Sequence, residues 1–223
     1  MELADALARR RMVRRYDPDA PVPADAVEAV VAAALRAPSA GFTQGVSLLV
    51  LDAPQDVRRF WSATVLRGDD PPHPPQGVPV AGAPETRPGA SNRWLDGMRT
   101  APVLVLVLTD REAYLDRYAE PDKGWTDRDE GRWSAPYWFV DAGMAAMAML
   151  LRAVDLGLGA CFFGVPPERA DAVHAAFGVP ADQLGVGVVS LGHAPATGER
   201  GSRGSPARRP RKPAAEVVHR GRW

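Results

Sequence analysis

Residues 136–164 read PYWFVDAGMAAMAMLLRAVDLGLGACFFG. Residues 136–156 of this stretch are apolar and rich in Ala and Met, which predicts a buried helix of about six turns. Gly157-Leu158-Gly159 ends it, because glycine tolerates the left-handed backbone that closes a helix. Residues 160–163 then read as extended. Asp141 interrupts the apolar run, so nothing in the chain reaches the ~18–20 uninterrupted apolar residues of a membrane span. A long core helix that feeds directly into a strand needs a sheet to lie on.

Three further segments supply that sheet. Residues 46–51 (VSLLVL), 101–108 (APVLVLVL) and 184–192 (ending GVGVVSLG) are short apolar runs of buried-strand type. The second of these is the clearest central strand. Helices are predicted over 2–11, 24–37, 55–66 and 167–177. In 24–37 the stripe is Val27, Val30, Val31, Ala34 and Leu35, and in 55–66 it is Val57, Phe60, Trp61 and Val65. Residues 119–135 read as a polar loop carrying Trp125 and Trp133. Residues 71–88 hold seven prolines and no apolar period, so 67–100 reads as a surface excursion or lid. The tail 194–223 shows neither period, and 196–223 reads as a basic extension. Mixed helices and separated strands in 223 residues indicate one α/β or α+β domain over 1–223.

The charge is unevenly distributed. The chain has 27 Lys+Arg and 27 Asp+Glu, and only Lys123 and Lys212 are lysines. Residues 1–15 carry a net +3, residues 16–199 a net −10 and residues 200–223 a net +7. A protein that coats nucleic acid would be basic along a full face. An acidic body with arginine-rich ends points instead to solvated tails, or to ends that converge on one anion. The single cysteine, Cys161, allows no internal disulfide and suggests a reducing compartment. No secretory signal is visible at the start, and the expected location is cytoplasmic. The histidines have no metal-ligand spacing, and no metal is expected. Walker, GxSxG, HExxH and CxxC patterns are absent, as is GxGxxG after a strand, so nucleophilic and metal-dependent hydrolases are disfavoured.

Four segments could carry chemistry. Arg10-Arg11-Met12-Val13-Arg14-Arg15-Tyr16 follows a helix, and arginine forks match phosphate oxygens in shape and charge. Taken alone it could equally be a solvated charge run. Ala37-Pro38-Ser39-Ala40-Gly41-Phe42-Thr43-Gln44 combines small residues that allow close backbone approach with hydroxyl and amide donors; alone it could be a plain turn. Gly157 to Gly164 could present backbone N–H and C=O groups to a flat ring, or be a core strand. Cys161 has no neighbour in sequence that would lower its pKa and reads as a small buried hydrophobe. The fourth segment is the tail, Arg208-Arg209-Pro210-Arg211-Lys212 followed by Val217, Val218 and Trp223, which a fully solvated tail would not need.

Taken together and in order, these segments resemble the nitroreductase family of flavin-dependent oxidoreductases. Residues 10–16 match its Arg-Arg-Ser-x-Arg-x-Phe run, and residues 37–44 match Ala-Pro-Ser-x-x-Asn-x-Gln. Asp141, Gly143 and Gly157-Leu158-Gly159 match a helix that opens with Asp and ends in Gly-Leu-Gly. GVVSLGHAP at 187–195 and the basic RRPRKPAAEVV match the family's closing strand and tail. The resemblance implies an α+β fold, a central mostly antiparallel sheet flanked by helices, in an intertwined homodimer with the sites at the interface. It implies FMN as cofactor and NAD(P)H as electron donor, in a ping-pong cycle ending on a small aromatic, quinone or nitro-type acceptor. It implies no nucleic-acid and no membrane partner.

By the same resemblance, Arg10, Arg11, Met12 and Arg14, with Arg209 and Arg211, would grip the FMN phosphate and ribityl chain. Pro38, Ser39, Ala40 and Gln44 would lie along the flavin, and Cys161, Phe162, Phe163 and Gly164 would pass its ring. The flavin supplies the chemistry, so no catalytic acid or base is identified. Phe42 and Trp94 are substrate-pocket candidates, and Trp61, Trp125, Trp133 and Phe163 are further aromatics that could shape it. Met12 stands where the family has serine, which removes a hydroxyl donor. Phe42 stands where it has asparagine, exchanging a polar contact for an aromatic face. These two departures also fit a member of the fold that binds flavin or deazaflavin without turnover. An anion- or nucleic-acid-binding module is a further alternative, but it lacks interleaved aromatics for base stacking.

Overall fold

The computed structural model describes residues 1–65, 93–196 and 210–223, and the side chains of residues 93 and 94 are not among those described. The proline-rich stretch 67–92, Arg208 and Arg209 therefore lie outside the described residues, as does the Trp94 side chain.

The central strand is β2, Val103–Asp110, buried along almost its whole length. Its alternating side chains serve two cores, Val103, Val105 and Val107 on one side and Leu104 and Leu106 on the other. Strand β1 (Val46–Leu51) pairs with it on one side, and β4 (Gln183–Gly192) on the other. Strand β3 (Gly159–Phe163) pairs with β4 at the far edge. The order is β1-β2-β4-β3 and every pairing is antiparallel. The family expectation of a mostly antiparallel α+β sheet therefore holds for the chain.

Helices cover both faces. Val103, Val105 and Val107 of β2, with Val189, Leu191 and Ala160, pack against helix α2 (Ala24–Ala34) and helix α6 (Tyr137–Asp155). Leu104, Leu106, Val188, Cys161 and Phe163 face the other way, onto Phe60 and Trp61 of helix α3 (Pro54–Ala63), onto Val173 of helix α7 (Ala170–Phe177), and onto Tyr16 and Met98. Helix α6 is the predicted long helix. It has the length and composition of a membrane span, but it lies on the sheet with Ala142, Ala145, Met149 and Ala153 buried. Its outer side keeps Phe139, Val140 and Met147 exposed. The first helix, α1, spans Leu3–Arg9.

Three elements differ from the sequence reading. Helix α5 (Arg111–Ala119) follows β2 without a loop, because Asp110 both ends the strand and caps the helix, its carboxylate accepting from the Glu112 and Ala113 amides. The excursion expected over 67–100 ends sooner: Arg93–Met98 form helix α4, and Met98 is fully buried. The tail is not without structure, since Ala214–Val217 form the short helix α8. Predicted helices also run past their ends. Helix α2 stops at Ala34, where Leu35 is exposed rather than part of the apolar stripe.

Gly192 shows how tightly the second core is closed. A methyl group there would stand 2.7 Å from Tyr16 Cδ1 and 2.8 Å from Pro102 Cδ. Both are rigid neighbours, so Gly192→Ala is expected to lower the unfolding free energy by about 1–3 kcal/mol, measured by urea denaturation.

Candidate functional site

The basic segment 10–16 is fastened to β3 by an isolated bridge. Met12 bridges Ala160 in parallel, and the Val13 amide donates to Ala160 O at 2.9 Å. The approach is close on both sides. A Cβ on Gly159 would meet the Val13 side chain at 2.9 Å, and one on Gly97 would meet Arg14 O at 2.2 Å. Tyr16 anchors the segment: it is 1% exposed, and its hydroxyl lies 2.7 Å from Val13 O and 2.7 Å from Ser190 Oγ. The Tyr16 amide donates to Thr100 Oγ1.

The arginines of this segment behave differently from those of the body. Arg111, Arg117, Arg128, Arg132 and Arg152 all pair with carboxylates. Arg10 and Arg14 enter no ion pair among the described residues. Arg10 Nη1 is buried and has no hydrogen-bond partner among the described residues. A charged donor in that state demands an acceptor, because leaving it unpaired costs several kcal/mol (about 1–3 or more). Arg11 is turned back instead, donating through Nη1 to Ala8 O and Arg10 O at the end of α1.

The second predicted segment forms a one-turn helix at 40–42 with unusual backbone. Gly41, Phe42 and Gln44 have φ of 60°, 56° and 58°. For Phe and Gln this left-handed conformation costs of order 1 kcal/mol or more each, so the surroundings must impose it. They do. Asp141 is 2% exposed, and its Oδ2 accepts from the Ala40 amide and from the Tyr114 hydroxyl, each at 2.7 Å. Arg117 Nε donates to Gly41 O at 2.8 Å while its other nitrogens grip Asp122. The Tyr118 ring lies where a Gly41 side chain would be. Ser39 Oγ accepts from the Gln44 amide. Tyr118, Trp125 and Trp133 pack edge-on or tilted, with ring centres 4.9–5.3 Å apart.

The remaining predicted residues lie in different surroundings. The Met12 side chain packs against both cores. Phe162 lies over Gly187, and Cys161 and Phe163 are core residues. Trp61 stacks on Phe163 at 5.7 Å and is buried in the core. Burial pushes the Cys161 thiol pKa up, with Arg14 opposing weakly, which fits an inert thiol. Gly164 and Phe42 are exposed, Phe42 at 75%. Arg211 is exposed on the tail. From the sequence, Asp141 is a break in an apolar run and a match to a helix opening, with no tie to the loop, and Tyr114 and Arg117 are not picked out; Arg117 and Asp141 reach the loop across 76 and 101 residues.

The two segments stand at opposite corners of the sheet. The loop leads into β1, and the basic segment lies outside β3 at the end where β3 begins. Three strand spacings of about 4.8 Å separate β1 from β3.

Comparison with known proteins bears on this arrangement. The profile described as the nitroreductase family matches residues 7–193. A Methanothermobacter thermautotrophicus protein named for NADH dehydrogenase/NAD(P)H nitroreductase is 25% identical over 195 residues, 86% of this chain and 78% of its own. A nitroreductase-type protein of Desulfovibrio desulfuricans, solved in complex with FMN, is 25% identical, with a TM-score of 0.65 over 100% of this chain and 98% of the other. The NfrA1 nitroreductase of B. subtilis has a TM-score of 0.66 at 18% identity, over 99% and 74% of the two chains.

Two of the four tyrosines anchor these segments. Burial raises the pKa of both Tyr16 and Tyr114, and the Asp141 carboxylate raises Tyr114 further. A phenol with a raised folded pKa stabilises the fold fully below its unfolded pKa of about 10, and that contribution is lost as pH climbs toward the folded value. Ultraviolet titration should therefore show two tyrosines still protonated at about pH 11, ionising only as the protein unfolds.

Proposed function

The chain belongs to the nitroreductase family, and from that premise we propose that it is an FMN-dependent enzyme that passes reducing equivalents from NAD(P)H to a small planar acceptor. Family membership makes it a nitroreductase-family NAD(P)H oxidoreductase. The observation that carries the flavin reading is the buried, unpartnered Arg10 Nη1 on a segment fastened along β3. That donor fits a phosphate: it is charged, partly desolvated and lacks a carboxylate.

In this reading Arg10 and Arg14 hold the FMN phosphate, and Arg211 from the tail adds charge. Arg11 contributes less, because it is occupied at the helix end. The backbone from Cys161 to Gly164 passes the ring, with exposed Gly164 leaving room for close approach. FMN, when bound, would supply the hydride chemistry between NAD(P)H and the acceptor. The chain's own part is to hold the phosphate, to line the ring and to present the acceptor face. One domain, residues 1–223, carries it all.

A second copy completes the site. Pro38, Ser39, Ala40 and Gln44 stand at the opposite corner of the sheet from the arginines, so one flavin meets both sets through a homodimer. Phe139, Val140 and Met147 leave an apolar stripe on α6, and Val217, Val218 and Trp223 leave apolar groups on the tail. Such groups need a cover. A free buried thiol at Cys161 agrees with a cytoplasmic enzyme.

Titration of the purified protein with FMN tests this, followed by flavin fluorescence quenching. Arg10→Ala and Arg14→Ala should each weaken binding about 10- to 100-fold, the size of a lost charged hydrogen bond. Arg11→Ala should weaken it much less. Equal affinity in all four proteins would refute the phosphate assignment.

A further inference from the structure

The loop 39–44 is more firmly built than a connection needs to be. Asp141 is a buried carboxylate in the first turns of a helix whose other buried residues are apolar or aromatic. Burying a charge there is costly unless its partners are well placed. Its Oδ2 meets two donors from two different elements: the Ala40 amide in the loop and the Tyr114 hydroxyl on α5. Arg117, also on α5, takes the Gly41 carbonyl, and Tyr118 fills the space beneath Gly41. Two consecutive turns of α5 and the start of α6 thus grip two adjacent loop residues, Ala40 and Gly41. The residue carried by this grip is Phe42, left-handed in backbone and 75% exposed. Nothing in the Phe42 side chain accounts for that conformation; the clamp around Ala40 and Gly41 does.

We propose that Asp141 is a positioning residue: by accepting from the Ala40 amide and the Tyr114 hydroxyl, it holds the loop so that Phe42 offers its ring as the stacking face for a planar aromatic acceptor. The inference rests on the flavin reading above and adds to it the residue that sets acceptor preference. An aromatic face has no donor to match a particular substituent, so it selects for a flat π-surface and tolerates variation at the rim. Asp141 touches neither acceptor nor cofactor in this account; it acts through the loop.

Two probes of different shape separate this role from a general structural one. Menadione is flat and aromatic, and ferricyanide is an octahedral anion with no ring to stack. For the FMN-saturated protein, Phe42→Ala and Asp141→Ala should each raise KM for menadione about 3- to 10-fold, the size of one lost aromatic contact, with a clearly smaller change in kcat/KM for ferricyanide. Asp141→Asn keeps a carbonyl acceptor at the same place and should recover most of the menadione KM. Should Asp141→Ala fold poorly, Tyr114→Phe removes one of the two donors and should shift the same ratio by a smaller factor. Val57→Ala, which weakens the opposite core, serves as the control for lost stability and should leave the ratio alone.

Hydrogen exchange gives a readout that needs no flavin. The Ala40 amide should be protected in the wild type and exchange at least tenfold faster in Asp141→Ala, a loss equal to about 1.4 kcal/mol. Unchanged exchange at Ala40, or a menadione-to-ferricyanide ratio that moves as much in Val57→Ala as in Asp141→Ala, would overturn the proposal. Failure of the wild type to bind FMN would overturn the flavin reading itself, and it shows up separately, in the wild-type titration.

Discussion

The Tyr16 hydroxyl lies within hydrogen-bonding distance of Val13 O and Ser190 Oγ, and much of the molecule is arranged around that buried contact. It ties a segment near the start of the chain to β4, the third strand in the sheet order. The main chain before it then runs along β3 with its arginines beyond the edge. Gly97, Gly159 and Gly192 are small because this segment passes so close. A serine and a tyrosine in a core are expensive unless both are satisfied; here the Tyr16 hydroxyl donates to Val13 O, and the Ser190 hydroxyl can give its one proton to the Tyr16 oxygen at 2.7 Å or to Cys161 O at 3.2 Å.

Charge follows the same logic. The chain is neutral overall, but its arginines fall into two groups. Those on α5 and the loop after it are matched with carboxylates at the surface, where such pairs contribute little to stability. Arg10 and Arg14 are only partly exposed and have no carboxylate partner among the described residues. Holding them unpaired makes sense for an anion that arrives from outside. The acidic body and the basic start are thus two electrostatic tasks rather than one balanced total.

The fold was legible where periodicity was strong. The apolar run of β2 and the Ala- and Met-rich α6 stand out because burial on both sides leaves few polar residues in them. Helix α5 was not legible, because Asp110 is at once the last residue of a strand and the cap of a helix. The basic segment and the 37–44 loop could be picked out by residue type and order. Which way their side chains point could not. Met12 turns into the core and Arg11 back onto its own helix, and both depend on the β3 pairing. The left-handed Phe42 and Gln44 run against local preference, so only the distant Asp141 and Arg117 contacts explain them.

The central claim is that the arginines of one copy and the 39–44 loop of another share one flavin. Mixing two defective chains tests it directly. An Arg10→Ala/Arg14→Ala chain lacks the phosphate grip, and an Ala40→Trp chain has its loop blocked. Each alone should bind little FMN. After co-refolding, random pairing of the two in a twofold dimer restores one intact site in each mixed dimer, about a quarter of all sites. Recovery of FMN binding to about that level is the predicted result. No recovery beyond the sum of the separate chains would contradict the account.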